Sequence, residues 1–415
     1  MPSEWEVVKL GDVFDFLKTF TNSRTDLNFD DEISYIHYGE IHTKYKHFID
    51  FSISNLPKIS LKKLKGNVEF IKNGDLVVVD ASEDYKDIAK SVEIKNLTTK
   101  AVAGLHTFLL RDKNKNFANG YKGYILYCQV VKKEINRLAT GISVLGISKN
   151  NLSNIKIPLP PLKEQTKIAE ILSEFDTAIN LMSNLISQKT KFKKALMQNL
   201  LTAKIRFPNF KDKWQEVSLD KIVFYQEGPG VRNTQYRKKG VKLLNVSNLN
   251  NNQLNLSTTT TYINKELAYG KYKHFLVDEG DLLISCSGIN SESFKTKIAF
   301  AKKEHLPLCM NTSTMRFKNL DDSLSLKYLY YFFQTLNFEK QVFSILTGSA
   351  QFNFGPTHIK WFKIKLPNLD EQQKIAEILS RVDDEIEILN KKLENFKELK
   401  KGIMQNLLTG KVRVK

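Results

Sequence analysis

The first candidates for chemistry in this 415-residue sequence are two carboxylates and a lysine in one short segment, Asp80, Asp84 and Lys86. Two carboxylates can hold a divalent metal ion, and a neighbouring lysine can help to activate water for hydrolysis. The segment is polar and lies in a highly charged protein, which favours a solvated turn. We therefore predict no catalytic residue here and keep a metal-dependent nuclease as an alternative hypothesis.

Histidines and cysteines give no metal-binding pattern. His37, His42 and His47 are the closest of seven histidines, and their spacing of five suits neither one helix face nor one strand face. The three cysteines, Cys128, Cys286 and Cys309, lack a CxxC spacing and are expected to be buried thiols in a reducing compartment. We predict no metal site.

Other catalytic motifs are missing from the sequence. It contains no GxxxxGK phosphate loop, no GxGxxG after a strand, no HExxH and no GxSxG. The formal net charge of +18 instead favours nucleic acid or another anionic surface as the partner. Because no apolar run is long enough for a signal peptide or a membrane span, we expect a soluble, cytoplasmic protein.

Two long amphipathic segments must position whatever the chain binds. They run from Leu162 to Leu201 and from Leu369 to Leu408, and they contain EQTKIAEILSEFDTAI and EQQKIAEILSRVDDEI at an offset of 207 residues (371 − 164). Apolar residues step by alternating fours and threes, which is typical of a coiled-coil seam. We predict two helices of about 40 residues, each roughly 60 Å long. The alternative is an ordinary amphipathic helix packed on its own domain.

The predicted seam residues occupy matching positions in the two segments. They are Ile168, Leu172, Phe175, Ile179, Met182, Ile186, Leu196, Ile375, Leu379, Val382, Ile386, Leu389, Leu393, Phe396 and Ile403. Lys193 and Lys400 interrupt the two seams at equivalent places. Seams of equal length predict that the two helices pair with each other.

The repeat extends over the whole chain. Trp5 opens the first copy in WEVVKLGDVF, and Trp214 opens the second in WQEVSLDKIVF. In both copies a Gly-Asp turn, at Gly74 and Gly280, leads into an apolar run that reads as a strand buried on both faces. Between these strands the copies diverge, as expected when one scaffold presents two recognition surfaces. We predict an α/β (α+β) fold class with two mixed globular domains.

This arrangement resembles the specificity subunit of type I restriction-modification enzymes. The resemblance rests on PLPPLKEQTKIAEILS and LPNLDEQQKIAEILS at the starts of the long segments and on MQNLLT at their ends, and it covers essentially the full chain. It implies two target-recognition domains, each reading half of a bipartite site in double-stranded DNA. The two helices would then form an antiparallel coiled coil between the domains, giving a pseudo-twofold tandem repeat in which this chain catalyses no reaction.

The resemblance also implies domains, partners and cofactors. The expected boundaries are 1–157 and 206–364 for the target-recognition domains, and 158–205 and 365–415 for the helices. Two methyltransferase (modification) subunits and ATP-dependent restriction subunits, which translocate and cut DNA, would join the complex. S-adenosylmethionine, ATP and magnesium are expected on those subunits and not on this chain.

Base recognition requires hydrogen-bonding side chains on loops that can enter a groove of DNA. In the first domain the predicted contacts are Asn22, Ser23, Arg24, His37, Tyr38, Lys44 and Lys46. In the second domain they are Arg232, Asn233, Gln235, Arg237, Ser287, Asn290, Ser349 and Gln351. The alternative for each residue is a surface loop without a partner, and the alternative for the chain is a coiled-coil scaffold whose basic domains bind RNA or an acidic partner.

Overall fold

The computed structural model describes residues 4–290, 293–345 and 353–414, and the chain divides into two compact units. The first unit comprises Met1–Asn184 and Lys391–Lys415, and the second comprises Leu185–Asn390. Each unit therefore contains part of both long helices. No helix in the described ranges is long and apolar enough to cross a membrane.

The first repeat carries short strands and helices that lead into one long helix. Its strands are β1 (Glu6–Lys9), β2 (Phe14–Leu17), β3 (Ile33–Ile36), β4 (His47–Asp50), β5 (Lys58–Ile59), β6 (Leu76–Val79), β7 (Ala81–Ser82), β8 (Ser91–Lys95), β9 (Ala101–Ala103), β10 (Thr107–Asp112), β11 (Leu145–Gly146) and β12 (Lys156–Leu159). Its helices are α1 (Leu10–Val13), α2 (Tyr38–Thr43), α3 (Lys122–Ile125), α4 (Gln129–Leu138), α5 (Lys149–Ser153) and α6 (Leu162–Leu200).

The second repeat has the same general order. Its strands are β13 (Gln215–Ser218), β14 (Val223–Glu227), β15 (Val241–Leu243), β16 (Leu249–Asn250), β17 (Gln253–Leu254), β18 (Tyr262–Ile263), β19 (Leu282–Ser285), β20 (Ile298–Phe300), β21 (Leu308–Cys309), β22 (Thr314–Asn319) and β23 (Lys363–Leu366). Its helices are α7 (Lys265–Tyr269), α8 (Leu326–Phe333), α9 (Leu336–Ile345) and α10 (Leu369–Leu408).

The sheets of the two units share a framework. In the first unit β2, β10, β6, β8 and β4 form one sheet in that order, antiparallel except for the β8–β4 pair. Strand β3 lies between antiparallel β5 and parallel β9, and β1 pairs with β12. In the second unit β14, β22, β19 and β20 form the antiparallel sheet, β15 lies between antiparallel β18 and parallel β21, and β13 pairs with β23. The predicted mixed α+β class is confirmed.

The Gly-Asp turns lead into β6 and β19, and every residue of both strands is buried, as predicted. The aspartates explain why the turn is repeated. Asp75 accepts hydrogen bonds from the backbone three residues earlier and, at 2.7 Å, from Arg111. Asp281 accepts the same backbone bond and pairs with Arg316 at 3.2 Å. Each buried carboxylate is thus neutralised by an arginine of the neighbouring strand.

Prolines and caps fix where the long helices begin. Proline disfavours helix in the preceding residue, so Pro160 and Pro161 place the start of α6 at Leu162. Before α10 the second of these prolines is replaced by Asn368, whose side chain accepts the backbone N–H of Glu371 at 3.0 Å. That bond is an N-cap, so the substitution preserves the helix start by another route.

The two long helices run antiparallel within each unit. In the first unit Ile168 and Leu172 of α6 share a core cluster with Met404 and Leu407 of α10. Further along, Phe175 lies beside Phe396, with ring centroids 6.3 Å apart. As residue numbers rise along α6, the residues of α10 beside them have falling numbers, so the two helices are antiparallel.

In the second unit Met197 and Leu200 share a core cluster with Ile375 and Leu379, and Lys189 lies 2.5 Å from Glu385. The predicted antiparallel pairing is thereby confirmed. All fifteen predicted seam residues are buried or half-buried.

The starts of both helices also pack on their own globular domains. Ile168 and Leu172 belong to the same core as Tyr121 and Ile125 of the first repeat. Both readings of the amphipathic pattern therefore hold, because one helix face meets the partner helix and the domain at once.

Two lysines that interrupt the seam are part of matched polar clusters. Lys400 is only 5% exposed and pairs with Asp176, which also accepts the hydroxyl of Tyr124 at 2.7 Å. The ammonium lies 5.2 Å from the centre of the Tyr124 ring.

In the second unit Lys193 takes the equivalent position. It lies 2.6 Å from Asp383, which accepts the hydroxyl of Tyr331 at 2.9 Å. A buried charge requires a partner, and these clusters supply one at each seam interruption. The polar position is thus built into the seam and is not a gap in it.

Candidate nucleic-acid interface

A clamp in each unit joins the globular domain to the long helices. In the first unit the buried carboxylate of Glu164 accepts the indole N–H of Trp5 at 3.0 Å and two bonds from Arg413, at 2.7 and 2.9 Å. In the second, Glu371 accepts the indole of Trp214 at 3.0 Å and two bonds from Arg206.

The next residue of each shared motif is also structural. Gln165 donates to the carbonyl of Pro160 at 2.8 Å and accepts the backbone N–H of Ala118. Gln372 donates to the carbonyl of Pro367 at 2.9 Å and accepts the backbone N–H of Ser325.

The Glu-Gln pairs at the starts of both helices, and the Trp and Arg residues around them, therefore fix each domain to the helices. The predicted contact residues lie outside these clamps, in regions in which the two repeats differ.

In the first unit the predicted contact segment is an ordered surface turn. Arg24–Asp26 forms a 3-10 helical turn capped by Ser23, whose backbone N–H donates to Asp26 at 3.2 Å. Ser23 and Arg24 are exposed, and Asn22 donates to the carbonyl of Lys63. The turn presents its side chains to solvent on a fixed backbone.

Helix α2 brings two further predicted residues next to that turn. His37 is buried, and its Nδ1 accepts the backbone N–H of Gly39 at 3.1 Å, so this ring caps α2. Burial, together with the positive charge of Arg24, lowers the pKa of His37 to about 4. His37 is therefore neutral near pH 7 and supports the helix start, while its predicted contact with DNA stays a prediction.

Tyr38 lies on the accessible side of the same helix. Its half-buried ring makes edge contacts with His42, at 6.0 Å, and with His106, at 5.3 Å. Lys44 and Lys46 are exposed beyond the end of α2. Arg24 and Tyr38 therefore both lie close to the buried His37.

His106 is a surface residue that the sequence reading missed. Its φ of 55° places it in the left-handed region, its ring is half exposed, and its Nδ1 lies 3.1 Å from Asp80. The sequence carries no signal for it, because neither the backbone conformation nor the contact with Tyr38 follows from local pattern.

In the second unit the matching turn is Asn233–Gln235, preceded by Arg232. Arg232, Asn233 and Arg237 are exposed, whereas the half-buried Gln235 accepts the backbone N–H of Arg232 at 3.0 Å. The guanidinium of Arg237 donates to two backbone carbonyls of its own turn, at 2.8 and 3.0 Å. Arg237 therefore stiffens the turn that presents Arg232 and Asn233.

Glycine lets this second turn lie against the body of its unit. A β-carbon at Gly228 would lie 2.3 Å from the backbone oxygen of Asn311, so only glycine fits there. The predicted Ser287 and Asn290 lie on the separate loop after β19, where the Asn290 side chain accepts two bonds from Ser293. Ser349 and Gln351 lie outside the described residues.

The segment considered as a nuclease site folds as a turn. Asp80 pairs with His106, and the Asp84 side chain accepts the backbone N–H of Asp87 at 2.7 Å. Lys86 is exposed. Within the described residues no group of three or more His, Cys, Asp or Glu side chains is placed to hold a metal ion. All three cysteines are buried free thiols, as predicted.

Comparison with known proteins identifies relatives over the full chain. Both repeats match the family described as Type I restriction modification DNA specificity domain, over residues 2–190 and 211–398. The type I restriction enzyme MjaVIII specificity subunit of Methanocaldococcus jannaschii is 29% identical, with 100% of this chain and 94% of that protein covered. The putative MjaX specificity subunit of the same organism is 30% identical, with 100% and 95% covered.

Solved structures share the fold at low identity. The S subunit of a type I restriction-modification system from M. genitalium superposes with a TM-score of 0.57 at 14% identity, covering 97% of this chain and 96% of that one. A chain from a structure of the assembly and conformational transition of a type I R-M system gives a TM-score of 0.61 at 18% identity, covering 98% of each chain.

Proposed function

The chain belongs to the type I restriction-modification DNA specificity family, since that domain matches both of its repeats, and we propose that it is the DNA-recognition subunit of such a complex. In this role it selects the DNA site and catalyses no reaction itself. The observation that carries the proposal is that the matched domain occurs twice. Each copy supplies one unit with an ordered, exposed turn, around Arg24 in the first and Arg232 in the second.

We propose that the target is bipartite, with one half-site per unit. The two turns stand at equivalent places in the repeats, 209 residues apart (233 − 24), yet they carry different side chains, Arg24 in one and Asn233 in the other. Arginine pairs with guanine and asparagine pairs with adenine through two hydrogen bonds each. A duplicated scaffold with different contact residues suits two unlike half-sites.

Within this proposal the long helices carry the methyltransferase subunits, with restriction subunits joining the complex. The helices expose several apolar side chains that docked subunits would cover. The first unit exposes Leu181 and Leu399, and the second exposes Phe192 and Ile388. S-adenosylmethionine, ATP and magnesium would be bound by the partner subunits.

The experiment is a selection from randomised double-stranded DNA by the full chain assembled with its methyltransferase subunits. We expect one bipartite sequence to be enriched, with binding that weakens as salt rises because lysine and arginine also contact phosphates. A competitor RNA of matched length provides the control. Binding of DNA without any sequence preference, or stronger binding to the RNA, would support the scaffold alternative and overturn the proposal.

The nuclease alternative has its own test. The purified chain is incubated with DNA and Mg²⁺, and no cleavage is expected. Cleavage that is abolished by Asp84→Ala would assign a nuclease site to the turn around that residue and overturn the assignment of a non-catalytic role.

A further inference from the structure

One arginine of the first unit is held by a carboxylate that has almost no contact with solvent. The side chain of Arg24 is 62% exposed and that of Glu40 only 2%, and Nη2 of Arg24 lies 3.1 Å from Oε1 of Glu40. The other carboxylate oxygen is buried and accepts no hydrogen bond within the described residues. A buried carboxylate requires a cationic partner, so the ion pair holds Nη2 of the guanidinium while most of the Arg24 side chain stays exposed.

The backbone around Glu40 is shaped to receive this guanidinium. A β-carbon added at Gly39 would lie only 2.5 Å from Nη2 of Arg24, so glycine makes the room in which the arginine lies. Another basic side chain close to Glu40 is that of His37, with Nδ1 3.9 Å from Oε2. Because burial lowers the pKa of His37 to about 4, Arg24 is the positive charge that neutralises Glu40 near pH 7.

The second repeat lacks all three parts of this arrangement. Asn233 stands where the first repeat has Arg24, Ser247 where it has Gly39, and Asn248 where it has Glu40. The side chain of Asn248 is buried as well, but it is used inside the loop, where it donates to Asn255 and Thr259. The arginine, the glycine and the acid therefore occur together in one repeat and are absent together from the other. That pattern is expected of residues that recognise one particular half-site and not of residues that hold the shared fold together.

We propose that Arg24 reads a guanine in the half-site of the first unit, and that Glu40 is the residue that positions it. The inference rests on the proposed function and adds to it the chemical identity of one base. Arginine donates in parallel to O6 and N7 of guanine from the major groove, which requires a fixed orientation of the guanidinium plane. An arginine that contacted only phosphate would need no buried acid behind it, because a phosphate offers acceptors over a wide range of directions.

The test compares the enriched first half-site of the native chain with those of variants, all assembled with the methyltransferase subunits. The native half-site is expected to contain a required guanine. Arg24→Asn, which installs the residue of the second repeat, should lower the preference for that guanine about 5- to 150-fold, the range of one lost bidentate base contact. The second half-site should stay unchanged.

Two further variants test the positioning role. Gly39→Ala keeps every charge but pushes the guanidinium away, so it should weaken the preference for the same guanine and for no other base. Glu40→Gln should do likewise and leave the midpoint of thermal unfolding unchanged. If Glu40→Gln fails to fold, Gly39→Ala decides the matter, because it keeps Glu40 and adds one methyl group, 2.5 Å from Nη2 of Arg24 and 3.3 Å from Nδ1 of His37.

A matched control is available in the same unit. Arg137 is also exposed and also paired with a glutamate, Glu134 at 2.9 Å, but that glutamate is itself exposed on α4. Arg137→Asn should change neither half-site.

The outcomes separate the two levels of the proposal. A native first half-site without a guanine, or an unchanged preference in Arg24→Asn, overturns the assignment of Arg24. Uniform weakening on all DNA with a smaller salt dependence would make Arg24 a phosphate contact and also overturns it, while leaving the proposed function intact. Failure of the native complex to prefer any DNA sequence would overturn the proposed function itself.

Discussion

Arg232 is the most available arginine of the second turn, because its guanidinium makes no hydrogen bond or ion pair within the described part of the chain. We predict that Arg232→Ala relaxes recognition at one base pair of the second half-site, at about 1–3 kcal/mol, and leaves the first half-site unaffected. Sequencing of the DNA enriched by the assembled variant measures this.

Arg237→Ala should behave differently, because that guanidinium holds its own turn. It should weaken several contacts of the second half-site together. Equal weakening on every sequence by Arg232→Ala would show that Arg232 holds a phosphate and reads no base.

His37 makes the stability of the first unit depend on pH. Its folded-state pKa of about 4 lies below the ordinary value of 6.5, first because the ring is buried and then because Arg24 is close. Between pH 4 and pH 6.5 the unfolded chain binds more protons than the folded chain. The neutral ring therefore makes its full contribution to the free energy of unfolding above pH 6.5. That contribution, about 3 kcal/mol, is lost as the pH falls towards 4.

The matched variant is His37→Asn, since asparagine caps helices, does not titrate and stands at the equivalent position, Asn245, in the second repeat. We predict that the free energy of unfolding of the native chain falls more steeply between pH 6.5 and 4.5 than that of the variant. Denaturant titrations at both pH values measure the difference. If the free energy of unfolding falls equally in the two proteins, His37 is already protonated in the folded state at pH 4.5.

At the scale of the helices, the seam is buried most deeply near its ends. Leu379 is fully buried in the core of the second unit, whereas Leu389 and Ile186 are only half-buried. We predict that Leu379→Ala lowers the free energy of unfolding by about 2–5 kcal/mol and that Leu389→Ala costs less.

Aspartate at Leu389 or Ile186 is expected to abolish assembly, because it places a charge without a partner in the seam. Yield of the complex, measured by size-exclusion chromatography, checks this. Normal yield from both aspartate variants would contradict a seam that extends through these positions.

The lysine clusters of the helices offer a paired comparison. Removing one partner of a buried ion pair leaves the other charge uncompensated. Asp176→Asn removes the carboxylate partner of Lys400, whose side chain is 7% exposed. Asp383→Asn removes that of Lys193, whose side chain is 14% exposed.

We predict that Asp176→Asn costs about 3–5 kcal/mol of unfolding free energy and that Asp383→Asn costs less, since the more exposed ammonium regains hydration. Denaturant unfolding of both variants measures the two losses. Equal losses would show that solvent access does not govern the cost.

At the scale of the whole molecule, each long helix contributes to both units, so we predict that helix length sets the gap between the half-sites. An insertion near Thr202 suggests itself from the sequence. Helix α6, however, ends at Leu200, so residues added there would lengthen only the connecting segment. The sharper variant adds four residues after Asn184 and four after Asn390, which keeps the antiparallel seams matched.

Four helical residues add about 6 Å, and one base pair adds about 3.4 Å. We predict the same two half-sites with a gap longer by one or two base pairs, measured by methylome sequencing of cells that carry the variant. The connecting-segment insertion near Thr202 is the control and should leave the gap unchanged. An unchanged gap in the helix variant would show that the helices do not set the spacing.

The sequence by itself determined the tandem repeat, the two long helices, their seam and the buried strands after the Gly-Asp turns. These features depend on local periodicity and on residues that recur at a constant offset, such as Glu164 and Glu371. Local pattern is sufficient for them because a heptad seam or an apolar run predicts its own burial.

The tertiary structure alone decided what the polar residues do. Lys400 reads as a defect in the seam until the fold brings Asp176, 224 residues earlier in the chain, beside it. Arg24 and Glu40 become a pair only when the turn before β3 meets α2. Hydrogen bonds and ion pairs depend on distances of a few ångströms between groups that sequence spacing does not relate. Their partners therefore follow from the packing of the chain and not from its pattern.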